Sequence, residues 1–147
     1  MTAPGDFTAG DVLQASDMNA LPAGIVVAGS RTTSFTATAG YQTVLSVSFT
    51  ADSTRLYRLN FVVSNAMGTP SSRMQMQFID DLSSIKGRGY QGGLTYGTII
   101  NYATLTTFTT GSRTLNLQAY RDGGTIADFY ADTTSPMRLW VEDLGLA

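Results

Sequence analysis

The 147-residue sequence contains neither cysteine nor histidine, and each absence removes a class of chemistry. Without cysteine there are no disulfides and no thiolate metal sites. Without histidine the chain lacks the commonest general base and the commonest side-chain metal ligand. Serine and threonine are plentiful, but with no histidine beside them no ordinary nucleophile–base pair forms. We therefore expect a protein that is not an enzyme and that binds no metal and no cofactor.

Charged residues are also scarce, at 14% of the chain with a net charge of −2. This charge provides no basic field to hold nucleic acid. The longest apolar run near the N-terminus, 25–28, is far too short to cross a bilayer, so we expect no membrane insertion. The opening stretch MTAPGDFTAG lacks the basic start and apolar core of a secretory signal. These features indicate a protein that is made in the cytoplasm and used from there by assembly.

Two strong helix formers, lysine and glutamate, are nearly missing, while β-forming residues are common. Lys86 is the single lysine and Glu142 the single glutamate, whereas Thr, Ser, Tyr, Phe and Val are frequent. Hydrophobic residues make up 43% of the chain, which is typical of a folded domain, and the length suits one domain. Apolar and polar residues alternate, as in half-buried strands, over 45–49, 57–63, 74–78, 115–119 and 137–141.

This rhythm predicts an all-β fold, an antiparallel two-sheet sandwich or jelly roll of about eight strands. The stretch 95–110 is rich in β-branched and aromatic residues, but its alternation slips, so it forms one bent strand or two. TIADFYA, residues 125–131, predicts another strand. Asp122 and Gly123 in YRDGGT predict a tight β-hairpin between two strands.

The N-terminal stretch FTAGDVLQASDMNALPAG, residues 7–24, differs from the rest because its apolar spacing predicts a short helix over 11–20. A helix this short is not stable alone and must be held against something. We predict an anchor segment, 1–24, ahead of a sandwich domain, 25–147. The predicted docking residues are Phe7, Val12, Leu13, Met18 and Leu21, with Pro22 and Gly24 as a hinge. The alternative is that the helix caps an open end of its own sandwich or trimer.

Three glycines in GRGYQG have the G-x-G-x-x-G spacing of a dinucleotide-binding fingerprint: Gly87, Gly89 and Gly92. That site needs a strand before the glycines, a helix after them, and an acidic residue about 20 positions further on. The following residues, GLTYGTII, are strand-like and no such acid occurs. We interpret the stretch as a flexible surface loop that carries Arg88.

Two aspartate pairs are the remaining acid–base candidates. Asp80 and Asp81 are adjacent, so on a strand they point to opposite faces. Asp128 and Asp132 are four apart and share a face if the strand runs straight through them. Such a pair could hydrolyse a glycoside or help to bind calcium. The favoured interpretation is that all four are solvated aspartates at strand ends.

Aromatic residues provide candidate contact surfaces. By alternation Trp140 faces away from Met137, Leu139 and Val141, so it lies on an outer face, where it suits a subunit or partner contact. The alternative is that another element covers it. Arg88 and Tyr90 are candidate subunit or partner contacts as well. The seven tyrosines together with Trp140 also allow a sugar-binding surface, to which the stretch 86–93 would contribute.

Two stretches carry a family resemblance. FTAGDVLQASDMNAL, residues 7–21, resembles a short N-terminal segment of many structural proteins of tailed-phage virions, F-x-x-G-D-V-L-x-A-x-D-M-N. Residues 112–145 resemble the closing strands of the same proteins, which end in a V-E-D-hydrophobic-G signature. Together the two stretches cover about a third of the chain. The residues that fill the signature are Val141, Glu142, Asp143, Leu144 and Gly145.

The resemblance implies a virion protein, assembled in the host cytoplasm, whose body is a jelly roll similar to the trimeric C1q/tumour-necrosis-factor-like heads. It implies a homotrimer with other virion proteins, of capsid or tail, as partners. No coiled-coil heptads and no β-helical repeats precede the body, which favours a small module fixed directly to a larger surface. We expect a capsid decoration or head-fibre protein. The alternatives are a minor tail or tail-tip module that recognises a host-surface glycan, and a carboxylate hydrolase that degrades polysaccharide.

Overall fold

The computed structural model describes residues 21–69, 71–92 and 97–147, and within these ranges the chain forms ten β-strands. The predicted helix over 11–20 and four of the predicted docking residues, Phe7, Val12, Leu13 and Met18, lie outside the described residues. The strands are β1 Gly24–Arg31, β2 Phe35–Thr36, β3 Gln42–Ala51, β4 Arg55–Gly68, β5 Arg73–Asp80, β6 Ile85–Gly92, β7 Thr98–Thr106, β8 Gly111–Asp122, β9 Ala127–Tyr130 and β10 Met137–Leu146.

The strands form two antiparallel sheets that pack face to face. In sheet A the order is β1, β10, β4 and β7; beyond the first residues of β10, β9 takes its place beside the end of β4 and in turn pairs with β2. In sheet B the order is β3, β8, β5 and β6. Apart from β5 and β6, neighbours in each sheet are not consecutive in the chain, since successive strands mostly cross between the sheets, as in a jelly roll. The predicted all-β antiparallel sandwich is confirmed.

The predicted alternation is confirmed in all five segments, which lie in β3, β4, β5, β8 and β10. In β4, for example, Tyr57, Leu59, Phe61 and Val63 are at most 2% exposed and belong to the core between the sheets. Leu45 departs in part, because a bulge between Thr43 and Leu45 turns Val44 into the core as well. The other inward residues are Val47, Phe49, Met74, Met76, Phe78, Leu115, Leu117, Ala119, Met137, Leu139 and Val141.

The stretch whose alternation slips forms a single strand, β7, from Thr98 to Thr106. The predicted hairpin at Asp122 and Gly123 is wrong. The turn there joins β8 in sheet B to β9 in sheet A, so the strands on either side of it are not paired with each other. Gly123 and Gly124 do adopt left-handed backbone angles, with φ of 90° and 71°. The glycines therefore do form a turn, but this turn connects two strands that lie in different sheets.

The interpretation of GRGYQG as a flexible loop is also wrong, because Gly87, Gly89 and Gly92 lie in the edge strand β6. Gly87 and Gly89 face inward against β7. A Cβ on Gly87 would lie 2.7 Å from Thr104 Cγ2, and one on Gly89 would lie 2.9 Å from Tyr102 Cε2. These glycines therefore allow the edges of the two sheets to approach, which closes this side of the sandwich.

Candidate functional site

The carboxylates of Asp80 and Asp81, at the end of β5, accept hydrogen bonds from nearby backbone N–H groups. Asp80 is 4% exposed, and its Oδ1 accepts the backbone N–H groups of Leu82 at 3.0 Å and Ser84 at 2.8 Å. Its second oxygen lies 3.3 Å from Lys86 Nζ. Asp81 accepts the N–H of Thr114 at 3.3 Å. Both carboxylates are thereby used as structural hydrogen-bond acceptors.

Asp128 and Asp132 have separate environments. Asp132 Oδ1 accepts the N–H of Thr134 at 2.8 Å, its hydroxyl at 2.7 Å, and the N–H of Ser135 at 2.7 Å. The hydrogen bond from the Thr134 hydroxyl, followed by those from the two backbone amides, lowers the pKa of Asp132. Asp128 lies on β9 beside the Tyr130 hydroxyl at 3.5 Å, and its buried Oδ1 has no partner among the described residues. Among those residues no cluster of three or more acidic side chains could hold a metal ion.

A polar pocket of about 500 Å³ lies near the end of β9. Its lining includes Ser34, Asn65, Tyr130 and Asp132. Several of these groups already have partners: Ser34 Oγ accepts the Ala131 N–H at 3.3 Å, and Asn65 Oδ1 accepts an N–H from Gly97 at 3.2 Å. The pocket therefore contains structural hydrogen bonds between its lining groups.

The V-E-D-hydrophobic-G signature fixes the last strand. Asp143 is 4% exposed; one carboxylate oxygen pairs with Arg55 and the other accepts the Gly145 N–H at 2.8 Å. Gly145 has a φ of 102°, which favours glycine. Arg55 Nη2 also donates to the Leu21 carbonyl at 2.5 Å. Arg55 thus joins the signature aspartate to the residue that ends the predicted docking segment.

The two predicted hinge residues, Pro22 and Gly24, lie within three positions after Leu21. Leu21 is 41% exposed, and Pro22 is also exposed. Gly24 is the first residue of β1, has a φ of 75°, and lies opposite Asp143 in the β1–β10 ladder. The boundary predicted at residue 24 thus lies at the start of a strand, and the hinge role of Pro22 and Gly24 stays a prediction.

Trp140 lies on the outer face of sheet A, as its alternation predicts, between Ala28 of β1 and Asn60 of β4. Its indole N–H donates to Glu142 Oε1 at 2.7 Å. The other oxygen of Glu142 accepts Arg58 Nε at 2.8 Å and forms an ion pair with Arg58 Nη2. The hydrogen bond from Trp140, and then the one from Arg58, lower the pKa of Glu142 below its ordinary value.

The surface around Trp140, which we call the tryptophan face, carries exposed apolar side chains. A groove of about 470 Å³ runs beside the indole and is lined by Ile25, Ala28, Val62 and Arg138, among others. Ile25 is 64% exposed. On β7, at the opposite edge of this face, Leu105 is 56% and Ile99 is 68% exposed. We define the tryptophan face by Ile25, Ala28, Arg58, Val62, Ile99, Leu105, Arg138, Trp140 and Glu142.

Arg88 and Tyr90 lie on the outer face of sheet B, on the opposite side of the sandwich from Trp140. Both are exposed, Tyr90 at 65%. The structure therefore brings Arg88 and Tyr90 together but separates them from Trp140. Gln77 accepts a hydrogen bond from Arg88 Nε at 3.1 Å and donates to Gln118 Oε1 at 2.8 Å.

Three further residues of this face were not singled out by the sequence, although Tyr41 and Tyr120 are among the seven tyrosines: Tyr41, Gln75 and Tyr120. Tyr41 stacks at a tilt on Tyr120, with ring centroids 5.2 Å apart, and its hydroxyl donates to Gln75 Oε1 at 2.9 Å. Gln75 pairs across the strands with Tyr90. Alternation alone places Gln75 and Tyr120 on an outer face, but only the strand register brings them beside Tyr41 and Tyr90.

The fold and these surfaces define an all-β sandwich with two chemically different outer faces. No protein-family model matches the chain, and a search of curated proteins found no match. Within the described ranges, no helix has the length and apolarity needed to span a membrane.

Proposed function

We propose that the protein is a non-enzymatic structural protein of a tailed-phage virion, most simply a trimeric capsid decoration or head-fibre protein. The segment with Phe7, Val12, Leu13, Met18 and Leu21 docks on a larger virion protein, and the jelly roll is displayed outside it. The tryptophan face holds the copies of the chain together. Capsid proteins are the first choice of docking partner, and tail proteins are the second.

The observation that carries this proposal is the exposure of apolar groups on the tryptophan face. The register aligns Ile25, Glu142, Arg58 and Leu105 in one row, so an ion pair lies between two exposed aliphatic side chains. A tryptophan, arginines and aliphatic groups on one face are typical of the centre of a protein interface. A second copy of the chain is a fitting partner because this face offers both charges as well as apolar surface.

The contact between the two stretches that resemble virion proteins gives further support. Leu21 ends the N-terminal stretch, and Asp143 belongs to the C-terminal signature. Arg55 contacts both, through the Leu21 carbonyl and the Asp143 carboxylate. The signature thereby holds the chain at the point where the docking segment ends and the sandwich begins, which is the geometry that an anchored module needs.

The engagement of the acidic side chains supports a role without catalysis. Asp80 and Asp132 each accept backbone N–H groups in turns, and Asp143 and Glu142 pair with arginines. A general acid or base needs a group that can reach a substrate and exchange a proton with it. Carboxylates held in this way act as structural acceptors.

The oligomeric state tests the tryptophan face. Light scattering on the purified full chain should give three times the chain mass of 15.7 kDa. Leu105→Asp should reduce the mass to that of a monomer, since it replaces an exposed aliphatic side chain of the tryptophan face with a charge. Leu82→Asp is the control, because Leu82 is 57% exposed but lies in the β5–β6 turn. A monomeric wild-type chain, or a Leu105→Asp variant that stays trimeric, would contradict the proposed interface.

Attachment to particles tests the docking segment. Labelled protein should bind virions prepared without it, and Leu13→Asp should abolish that binding because it charges the predicted apolar side of the segment. Gln14→Asp adds the same charge at the neighbouring polar position and should bind normally. Equal binding by both variants would remove Leu13 from the docking surface. Failure of the wild-type chain to bind would overturn the virion assignment.

A further inference from the structure

We propose that the outer face of sheet B is a binding site for an oligosaccharide. The site consists of a tyrosine row, formed by Tyr41, Tyr120, Gln75 and Tyr90, and an adjacent amide row, formed by Gln118, Gln77 and Arg88. The proposal is independent of the tryptophan face, because the two surfaces lie on opposite sheets of the sandwich.

The tyrosine row crosses all four strands of sheet B. Tyr41 immediately precedes β3 and lies against Tyr120 of β8, Tyr120 pairs with Gln75 of β5, and Gln75 pairs with Tyr90 of β6. Three strand spacings separate the ends of the row, which is about 14 Å. This length suits a short oligosaccharide and exceeds what a single sugar ring would need.

The aromatic rings in this row are held in different ways. Tyr41 is fixed by its hydrogen bond to Gln75 and by its contact with Tyr120. Tyr120 is hydrogen-bonded to Asp122, which raises the pKa of its phenol. Tyr90 is 65% exposed, and its hydroxyl makes no hydrogen bond to another described residue. The row therefore offers two positioned rings and one open ring on the same face.

The amide row supplies directed hydrogen-bonding groups. Gln77 is 4% exposed, and its two bonds, from Arg88 and to Gln118, fix the orientation of its amide. Arg88 uses only Nε in this chain of bonds, and its two terminal nitrogens contact no hydrogen-bond acceptor among the described residues. The Gln118 amide nitrogen has no acceptor there either. Donors are thus available at both ends of a fixed network.

These groups match the chemistry of a sugar chain. A pyranose has apolar C–H faces, which pack on aromatic rings, and a rim of hydroxyls, which bond to amides and guanidinium groups. An oligosaccharide lying along the tyrosine row would stack on the rings and direct its hydroxyls towards the amide row. Arg88 would favour a ligand that carries an acidic sugar at that end.

The rest of the face argues against a protein partner. Its neighbouring outward residues are short and polar, and they bond to each other: Ser46 with Asn116 at 2.6 Å, and Ser48 with Thr114 at 2.9 Å. The centre of a protein interface is usually apolar, and this face offers few aliphatic groups. A nucleic acid would need a basic field, whereas the chain carries a net charge of −2.

An array of neutral and acidic glycans, probed with the labelled full chain, tests the proposal. We expect binding to a defined set of oligosaccharides, and titration calorimetry with the strongest of them gives the Kd. Tyr90→Ala should weaken this binding about tenfold by removing the open ring. Tyr90→Phe should bind nearly as the wild type does, since the ring is retained. Arg88→Ala should weaken binding to acidic glycans more than to neutral ones.

The matched control is Leu82→Ala, which truncates a side chain of similar exposure, 57%, in the turn at one end of the same strand pair. It should leave the Kd unchanged. Unfolding midpoints equal to that of the wild type ensure that the Tyr90 and Arg88 variants are folded. The proposal is overturned if the wild-type chain binds no glycan on the array, or if Tyr90→Ala and Arg88→Ala bind as tightly as the wild type.

Discussion

Gly89→Ala should destabilise the protein, although alanine is normally the better residue in a strand. Gly89 faces Tyr102 across the closed edge between β6 and β7, and an added Cβ would lie 2.9 Å from Tyr102 Cε2 and 3.0 Å from Cδ2. Real Cβ contacts are longer, so the ring must move. Tyr102 stacks on Phe78 with ring centroids 5.1 Å apart, and Phe78 is fully buried. Moving the ring therefore disturbs the core.

The size of the effect follows from two opposing contributions. Overpacking a fitted site costs roughly 1–3 kcal/mol. The loss of chain entropy in the unfolded state favours alanine by about 0.4–1 kcal/mol where the backbone angles permit it. We expect Gly89→Ala to lower the free energy of unfolding by about 1–2 kcal/mol. With a urea m-value of about 2 kcal/mol/M, the midpoint falls by roughly 0.5–1 M.

Gly92→Ala is the matched control because it lies in the same strand, but the nearest atom to its added Cβ is Arg73 Cγ at an ordinary 3.7 Å. It should be neutral or slightly stabilising. Urea unfolding followed by fluorescence of Trp140 measures both variants, at one protein concentration so that any change in oligomeric state does not shift the midpoint. If Gly89→Ala is as stable as Gly92→Ala, the close approach of β6 and β7 is refuted.

Two further predictions concern the C-terminal signature. Asp143→Asn should lower the free energy of unfolding in urea by about 3 kcal/mol, because it removes the charge that pairs with the mostly buried Arg55. Asp81→Asn, which affects a partly exposed ion pair, should lower it by under about 1 kcal/mol. Equal losses in the two variants would count against the buried pair. Trp140→Phe should raise the pKa of Glu142 towards its ordinary value, because it removes the hydrogen bond from the indole. Carboxyl NMR can follow this pKa as a single signal, since Glu142 is the only glutamate. An unchanged pKa would refute the role of Trp140. Since the folded-state pKa of Glu142 is depressed, its contribution to stability is present at neutral pH and is lost as the pH falls through that pKa.

The strands of this protein were predictable because alternation is a local property. A residue on a half-buried strand is apolar or polar according to the face it occupies, whichever strand lies beside it. The inward positions of Met74, Met76 and Phe78, and the outward position of Trp140, follow from that pattern alone. The two-sheet antiparallel class follows from the number and spacing of such segments.

The errors share a cause, since both concern contacts between distant parts of the chain. Glycines at 123 and 124 signal a turn, but the signal does not say whether the flanking strands pair or enter different sheets. A Cβ on Gly124 would lie 2.0 Å from Ser72 Oγ, so that glycine is needed where β8 crosses to β9 past the start of β5. Likewise position 89 of β6 needs a glycine because the Tyr102 ring lies against it, and no local pattern around GRGYQG indicates that contact.

The same difference between local and distant contacts decides which parts of the candidate sites were predictable. Arg88 and Tyr90 are two positions apart on β6 and therefore share a face, so the local sequence is enough to place them together. The tyrosine row is different, because Tyr41 and Gln75 are 34 residues apart and meet only through the order of strands in sheet B. A register shift of one residue would move Gln75 and its neighbours to the core face. Sequence patterns can indicate which residues point outward, but they do not predict which strands lie side by side and so which of these residues meet.

The tryptophan face must be buried between copies of the chain, whereas the tyrosine row must stay exposed to bind a glycan, and both are possible because the two surfaces lie on opposite sheets. If the tryptophan face is buried between copies of the chain, sheet B of every copy points away from the contact and displays its tyrosine row. Three such rows on one particle would bind a dense glycan surface more tightly than a single row by about 10²–10⁴. A variant held monomeric by Leu105→Asp should therefore keep its Kd for a soluble oligosaccharide but lose most of its binding to an array surface. Equal loss in both measurements would mean that the tyrosine row depends on the trimer, and no loss in either would mean that a single row carries the binding.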